Sequence, residues 1–255
     1  MSASNNFLAF LSDGVNWTGT FGIPHRLEQH LIYTGVALAI SLVLAVPVGL
    51  AIGHTGRGAF LAINLGNAAR SLPTLGLLTI VVLVVGIGLV PVLVALVVLA
   101  IPPILTGTYA GIRAVDPTIV DAGRCMGMTE WRVLRRIELP LALPLILAGL
   151  RSAVLQVVAT ATVAAYVALG GLGRFLIDGL TNRDYPQMVA GAVLVAILAV
   201  MLDVMLLGLQ RLVISPGISG RLPAADPAAS GVSPVVLGLE PSDVSRGSTS
   251  PVSQL

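Results

Sequence analysis

Long apolar runs, separated by short polar segments, dominate the chain. Five stand out, with ends good to a few residues: about Leu31–Gly53, Leu72–Gly88, Leu89–Tyr109, Pro144–Leu169 and Met188–Leu212. Each approaches the roughly twenty residues that carry a helix across about 30 Å of hydrocarbon. Most lack the polar face that a core helix of a soluble protein turns to water. The pattern therefore predicts an all-α membrane protein with about five transmembrane helices. Around them fall an extracytoplasmic N-terminal segment (1–24), a membrane domain (25–214) whose third and fourth spans are joined by a long polar loop (110–143), and a tail (215–255). That tail is rich in Pro, Ser, Gly and Ala without apolar periodicity, and is predicted to be a disordered cytoplasmic extension. The first thirty residues lack the basic start and apolar core of a signal peptide, so the first span is expected to be the anchor itself.

Composition sharpens the class. Hydrophobic residues make up 56% and charged residues 10%, against about a quarter charged in soluble domains. The net charge of +2 matters less than its placement, and all fourteen basic side chains are arginine. Arg113, Arg124, Arg132, Arg135 and Arg136 lie in the 110–143 loop, Arg57 and Arg70 in the first connector, and Arg211 at the end of the last span. The other side holds Arg26, Arg174 and Arg183. The arginine-rich side is expected to be cytoplasmic, giving a multi-pass plasma-membrane protein with its N-terminus outside and its C-terminus inside. The single cysteine, Cys125, excludes an internal disulfide and a multi-cysteine metal site. His25, His30 and His54 fall outside the spans or at their edges without metal-ligand companions. A chain without lysine cannot contain the Gly-x4-Gly-Lys phosphate loop. No catalytic, cofactor or metal site is expected, and no nucleic-acid partner. Pro47, Pro73, Pro91, Pro102 and Pro103 interrupt the runs, with a break predicted at Pro102-Pro103. Broken backbone at membrane depth needs neighbouring protein or a wet cavity; a bundle around a pathway and ordinary helix kinks both fit.

The stretch from Asp116 to Pro140 is too polar to span and carries helix-boundary signals. Asp116 can cap a helix starting at Pro117, and Gly127 can end it in a left-handed conformation. Thr129 can cap a second helix with Glu130 in its first turn; Trp131, Leu134 and Ile137 would share one side, and Pro140 would stop it. Two short helices hinged at a glycine form a compact projecting element. An amphipathic segment lying on anionic lipid is the competing picture.

At these residues the sequence resembles a known family. Asp121-Ala122-Gly123, Gly127 three residues later, and Ile137-Glu138-Leu139-Pro140 nine residues beyond that look like the "EAA" loop of binding-protein-dependent ABC importer permeases. Asp121 stands where the family has glutamate and Gly123 where it has a second alanine; glycine weakens a helix by up to about 1 kcal/mol. Ser71-Leu72-Pro73-Thr74-Leu75, Ala164-Ala165-Tyr166, Gly170-Gly171-Leu172-Gly173, Phe175, Ile177 and Gly179-Leu180 are similar to the osmoprotectant group, which carries glycine betaine, choline, carnitine or proline betaine. Methionine-type permeases share the glycine-rich turn, so another small solute such as an amino acid stays open, as does a secondary transporter. The resemblance implies a type I importer permease (MetI-like) architecture with a cytoplasmic coupling-helix loop. In it Asp121, Ala122, Gly123 and Gly127 would dock an ATPase, while Ile137, Leu139 and Pro140 would tie the docking element to the fourth span. Implied partners are two cytoplasmic ABC ATPase subunits, which would use the ATP and Mg, a second permease copy or paralogue, and an extracytoplasmic substrate-binding protein. The chain itself would be a transport subunit and no enzyme.

Polar residues within the spans add two expectations. Arg151 and Asp203 each lie about seven residues from a span end, roughly 10 Å deep. Ions at depth seek partners, so the two are predicted to pair; a proton relay is the functional rival. Ser152, Gln156 and Thr160 recur at four-residue spacing and would line either a pathway or a helix interface. The only tryptophans, Trp17 and Trp131, lie outside the spans. Quaternary ammonium groups favour aromatic cages, so selectivity is expected to rest with the binding protein.

Overall fold

The computed structural model describes residues 3–58, 60, 64, 73–167 and 169–213, and every regular element among them is helical. In chain order these are α1 (Ala3–Ser12), a 3-10 turn (Gly14–Trp17), α2 (Ile23–Thr55), α3 (Thr74–Val85), α4 (Leu89–Arg113) and α5 (Pro117–Cys125). A continuous helical stretch, Glu130–Val167, then comprises α6 (Glu130–Val133), a π turn (Leu134–Glu138), α7 (Leu139–Ala161) and a 3-10 turn (Thr162–Val167). The described chain ends with α8 (Gly173–Asn182) and α9 (Tyr185–Val213). The proposed tail, 215–255, lies outside the described residues, as do Arg70, Ser71 and Leu72.

Among the described residues, four helices are long and apolar enough to cross a membrane: α2, α4, the Glu130–Val167 stretch and α9. The fifth apolar run appears as α3, whose 12 residues reach about 18 Å. It starts after Pro73 and ends at Gly86, whose φ of +92° releases the chain from the helix. At the other extreme, the 33 residues of α2 span about 50 Å. It begins at Ile23, eight residues ahead of the apolar run. Pro24 suits its first turn, and His25, Arg26, Gln29 and His30 find polar partners there. The N-terminal segment is likewise more ordered than its sequence suggests. It holds α1, whose Phe10 meets Phe175 edge-on with centroids 6.0 Å apart.

Prolines at two places behave differently from expectation. Pro102-Pro103 does not break α4, which runs through both. The carbonyl that Pro103 leaves without its usual amide donor is that of Leu99 (four residues back), and the Gln156 side-chain amide donates to it at 3.3 Å. Pro140 does not stop the second loop helix either. The π turn places the Leu139 N–H on the Leu134 carbonyl, five residues back. The wider turn admits the proline ring at the start of α7, and the helix continues unbroken into the fourth span.

Close backbone approach sets the packing. Helix α4 lies between α2 and α7, with Leu96, Ala100, Ile104 and Leu105 buried along it. A Cβ on Gly107 would come within 2.7 Å of the Gly149 Cα, so α4 and α7 cross at contact distance. Small residues permit such approach where dispersion replaces the hydrophobic effect as the attraction between helices.

Candidate functional site

The 110–143 loop folds into the element its boundary residues encode. The Asp116 carboxylate accepts the Thr118 N–H at 2.8 Å, and that bond holds it below the usual carboxylate range. Helix α5 closes at Gly127, φ +78°. There the Gly127 N–H reaches the Arg124 carbonyl at 2.9 Å and the Met128 N–H the Gly123 carbonyl at 3.2 Å. This pair of bonds is a Schellman motif. Thr129 occupies the position before α6 but makes no side-chain cap bond. Val115, Val120 and Val133 form a small core beneath the two helices, joined by Met128 and Leu141.

Val133 is fully buried, and residues two apart lie about 200° apart around a helix. Trp131 is therefore turned outward, 68% exposed, away from the half-buried Leu134 and Ile137 with which it was expected to share a face. Met126 is 75% exposed and Ile119 also open. Asp121, Ala122 and Gly127 lie on the exposed side, whereas Gly123 is buried. A Cβ there would fall 2.5 Å from Ile137 Cδ1. Glycine at this position lets the first helix pack directly on Ile137.

Charged groups stitch the element together and reach a third helix. Arg124 forks onto Glu130, Nε to Oε1 at 3.0 Å and Nη2 to Oε2 at 3.1 Å, and its Nη1 meets Asp121 at 3.1 Å. The hydrogen bond from Arg124 holds Glu130 below the usual carboxylate range and raises Arg124 in turn. His54, at the end of α2, lies 3.2 Å from Glu130 through Nε2 and 2.6 Å from Glu138 through Nδ1. A polar pocket of about 160 Å³ beside it is lined by Arg113, Asp121, Arg124 and Glu138. Sequence reasoning passed over His54 because its partners lie 76 and 84 positions away, and no local spacing marks them.

Elsewhere the structure brings Arg151 and Asp203 together. Arg151 Nη2 donates to Asp203 Oδ2 at 2.6 Å and Nε donates to Oδ1, tying α7 to α9. Ser152 is exposed, Gln156 bonds α4, and the Thr160 hydroxyl bonds the Gln156 carbonyl of its own helix at 2.7 Å. At the far end of the bundle the glycine-rich turn docks on α2, the Gly171 N–H donating to Gln29 Oε1 at 3.0 Å. Among the described residues, no cluster of three or more His, Cys, Asp or Glu could hold a metal.

Long apolar helices with a hydrogen-bonded helix pair set between two of them are the architecture of a multi-pass membrane protein. The chain belongs to the family of binding-protein-dependent transport system inner membrane components, whose profile matches residues 36–219. It is 35% identical over 196 residues to the glycine betaine/carnitine/choline transport system permease protein OpuCB of Bacillus subtilis (strain 168), covering 77% of this chain and 90% of that one. It is 33% identical over 198 residues to the osmoprotectant import permease protein OsmW of Salmonella typhimurium, covering 74% and 91%. Its fold is similar to a chain of the MetNI methionine ABC transporter in an inward-facing conformation. There the TM-score is 0.65 at 26% identity, covering 74% of this chain and 94% of that chain. The chain is thus a multi-pass inner-membrane transport subunit of an ABC importer and no enzyme. As such it works with an ATPase and a substrate-binding protein.

Proposed function

We propose that the chain translocates small quaternary-ammonium osmoprotectants of the glycine betaine, choline, carnitine and proline betaine class into the cytoplasm. The α5–α6 element is its ATPase-coupling site. Asp121, Ala122, Gly123 and Gly127 shape the docking surface, and Ile137, Leu139 and Pro140 join it to α7. Two ATPase subunits bind and hydrolyse ATP with Mg, and each docks the element of one of two permeases, identical or paralogous. An extracytoplasmic binding protein delivers the solute. The N-terminus is outside and the element is cytoplasmic, in keeping with the arginines around it.

The observation that carries the coupling assignment is the exposure of Met126 and Trp131 on an otherwise rigid, capped element. Large apolar side chains held open on a stiff support fit a partner's groove, and the unbroken path from α6 through the π turn into α7 passes force to the bundle. The substrate class is supported by the relatives' names, OpuCB and OsmW among them. The structural likeness to a methionine transporter supports a second reading, an amino-acid importer.

The test is uptake of labelled glycine betaine, carnitine, choline and methionine by cells with and without the chain, alongside Gly127→Val. A side chain forced to φ +78° costs about 1–2 kcal/mol and opens the turn. Uptake of an amine that depends on the chain and collapses in the variant, at unchanged membrane level, supports both parts. Uptake of methionine alone overturns the substrate class, and full uptake by Gly127→Val overturns the coupling site.

A further inference from the structure

A second polar pocket lies at the other end of α2. It has a volume of about 170 Å³ and is lined by Phe10 of α1, Phe21, Arg26 of α2, and Arg174, Phe175 and Asp178 of α8. Arg26 and His54 sit near opposite ends of α2, about 42 Å apart along the helix, so the pocket is on the side proposed above as extracytoplasmic. Arg26 is 9% exposed. Its Nη1 donates to Gln29 Oε1 at 3.3 Å, and the Phe21 ring centre lies 5.4 Å from its guanidinium carbon. The acid of the pocket, Asp178, is taken by Arg174, whose Nε donates to Oδ2 at 3.0 Å. Among the described residues, no carboxylate pairs with Arg26.

Both its hydrogen bonds and its charge leave Arg26 incomplete. A guanidinium carries five N–H donors, and Gln29 accepts one of them. Buried charges are ordinarily paired. The glycine-rich turn closes over one side of the group, since a Cβ on Gly170 would come within 2.9 Å of Nη1. The remaining donors are not sealed in, because among the described residues the one buried side-chain nitrogen or oxygen without a partner is His30 Nδ1. They open on the pocket. Two arginines against one aspartate leave its lining one positive charge in excess. A carboxylate on Arg26 offsets that charge through charge-assisted hydrogen bonds. Beside these charges the pocket presents three phenylalanines, Phe10 and Phe175 edge-on to each other and Phe21 78% exposed. Methylated ammonium groups settle against such rings.

We propose that this pocket is a solute site on the permease itself, in which Arg26 binds the carboxylate of a zwitterionic quaternary amine and the three phenylalanines receive its methylated nitrogen. The inference rests on the solute class proposed above and narrows it. Glycine betaine, carnitine and proline betaine carry the carboxylate, whereas choline ends in a hydroxyl. Part of the selectivity therefore resides in this chain, alongside that of the binding protein. The scarcity of tryptophan within the spans gave no sign of it. The rings are phenylalanines on α1, on the segment before α2 and on α8, and they meet only in the fold.

Initial uptake of labelled glycine betaine and of choline is measured in proteoliposomes holding the complete transporter with its ATPase and binding protein. One charge-assisted hydrogen bond corresponds to a factor of about ten or more. Arg26→Gln is expected to slow glycine betaine about ten times more than choline, and Arg26→Lys to keep most of the preference. An unchanged ratio overturns the site. So does an equal loss for both solutes, which would make Arg26 a brace of the glycine-rich turn or a contact for an acidic side chain of the binding protein. A second readout needs neither a variant nor transport. Labelled glycine betaine is bound to the intact permease–ATPase complex in nanodiscs, with the binding protein left out because it holds the solute itself. Saturable binding is expected, with carnitine displacing the label and choline or acetate at least about tenfold less effective. Absence of saturable binding, or choline as effective as carnitine, overturns the proposal; acetate as effective as carnitine reduces the pocket to a plain anion site and overturns it too. The expected binding pattern in a complex that moves none of the amines overturns the transport reading alone.

Discussion

The bond from Gln156 to the Leu99 carbonyl allows a direct choice between the two readings of the Ser152–Gln156–Thr160 stripe. Pro103 offers Leu99 no N–H, and Leu99 is 2% exposed, so without Gln156 that carbonyl is buried unpaired. A buried polar group left without a partner costs about 1–3 kcal/mol, while interhelical side-chain bonds in membranes average about 0.6 with a maximum near 1.7 kcal/mol. The 3.3 Å separation is long for an N–H···O bond, which places Gln156→Leu at about 0.5–1.5 kcal/mol. The cost should depend on the proline. In a Pro103→Ala background the new amide can close the ordinary helical bond to Leu99, and Gln156→Leu should then be nearly neutral. The assay is reversible unfolding in mixed SDS micelles for the wild type, both single variants and the double variant. A coupling energy of at least about 0.5 kcal/mol between the two positions is the expected result. Additive costs would refute the repair role. If Gln156→Leu also left stability untouched while abolishing uptake, the stripe would be a pathway instead.

Three further outcomes test other parts of the structure. Gly107→Leu forces a side chain onto the Gly149 backbone, and overpacking of this kind costs about 1–3 kcal/mol; thermal unfolding in detergent should show the loss, and a wild-type midpoint would contradict the α4–α7 crossing. Asp116→Ala should speed hydrogen exchange of the Thr118 amide near neutral pH. The folded carboxylate lies below its unfolded value, so its contribution is complete above the unfolded value and fades as pH falls through the folded one; a difference that persisted in strong acid would exclude the cap. For Arg151 and Asp203, either neutralising change should lower the amount of folded protein in the membrane, and the exchange Arg151→Asp with Asp203→Arg should restore it; two single defects that the swap leaves in place would argue against the pair.

Periodic and local features were the legible ones. The apolar runs mark α2, α4, α7 and α9 because a helix in lipid has little other composition open to it. The Asp116-Pro117 start and the Gly127 stop of α5 could be read from sequence because each depends on bonds within a few residues. The misread prolines, at two places in the chain, fail for the opposite reason. Pro102-Pro103 looks like a break because the side chain that bonds the freed Leu99 carbonyl, Gln156, lies more than fifty residues away. Pro140 looks like a stop because spacing alone does not reveal the π turn, Leu134–Glu138, that precedes it. Trp131 was assigned to an apolar face by its character, yet the buried Val133 decides the register and turns the larger ring outward. His54 is the extreme case: its neighbours Glu130 and Glu138 meet it only where α2, α6 and the π turn converge, so nothing near it in the chain marks it. What the sequence shows of this subunit is the bundle and the helix pair; the contacts that join α2 to that pair lie at sequence distances that pattern reading does not reach.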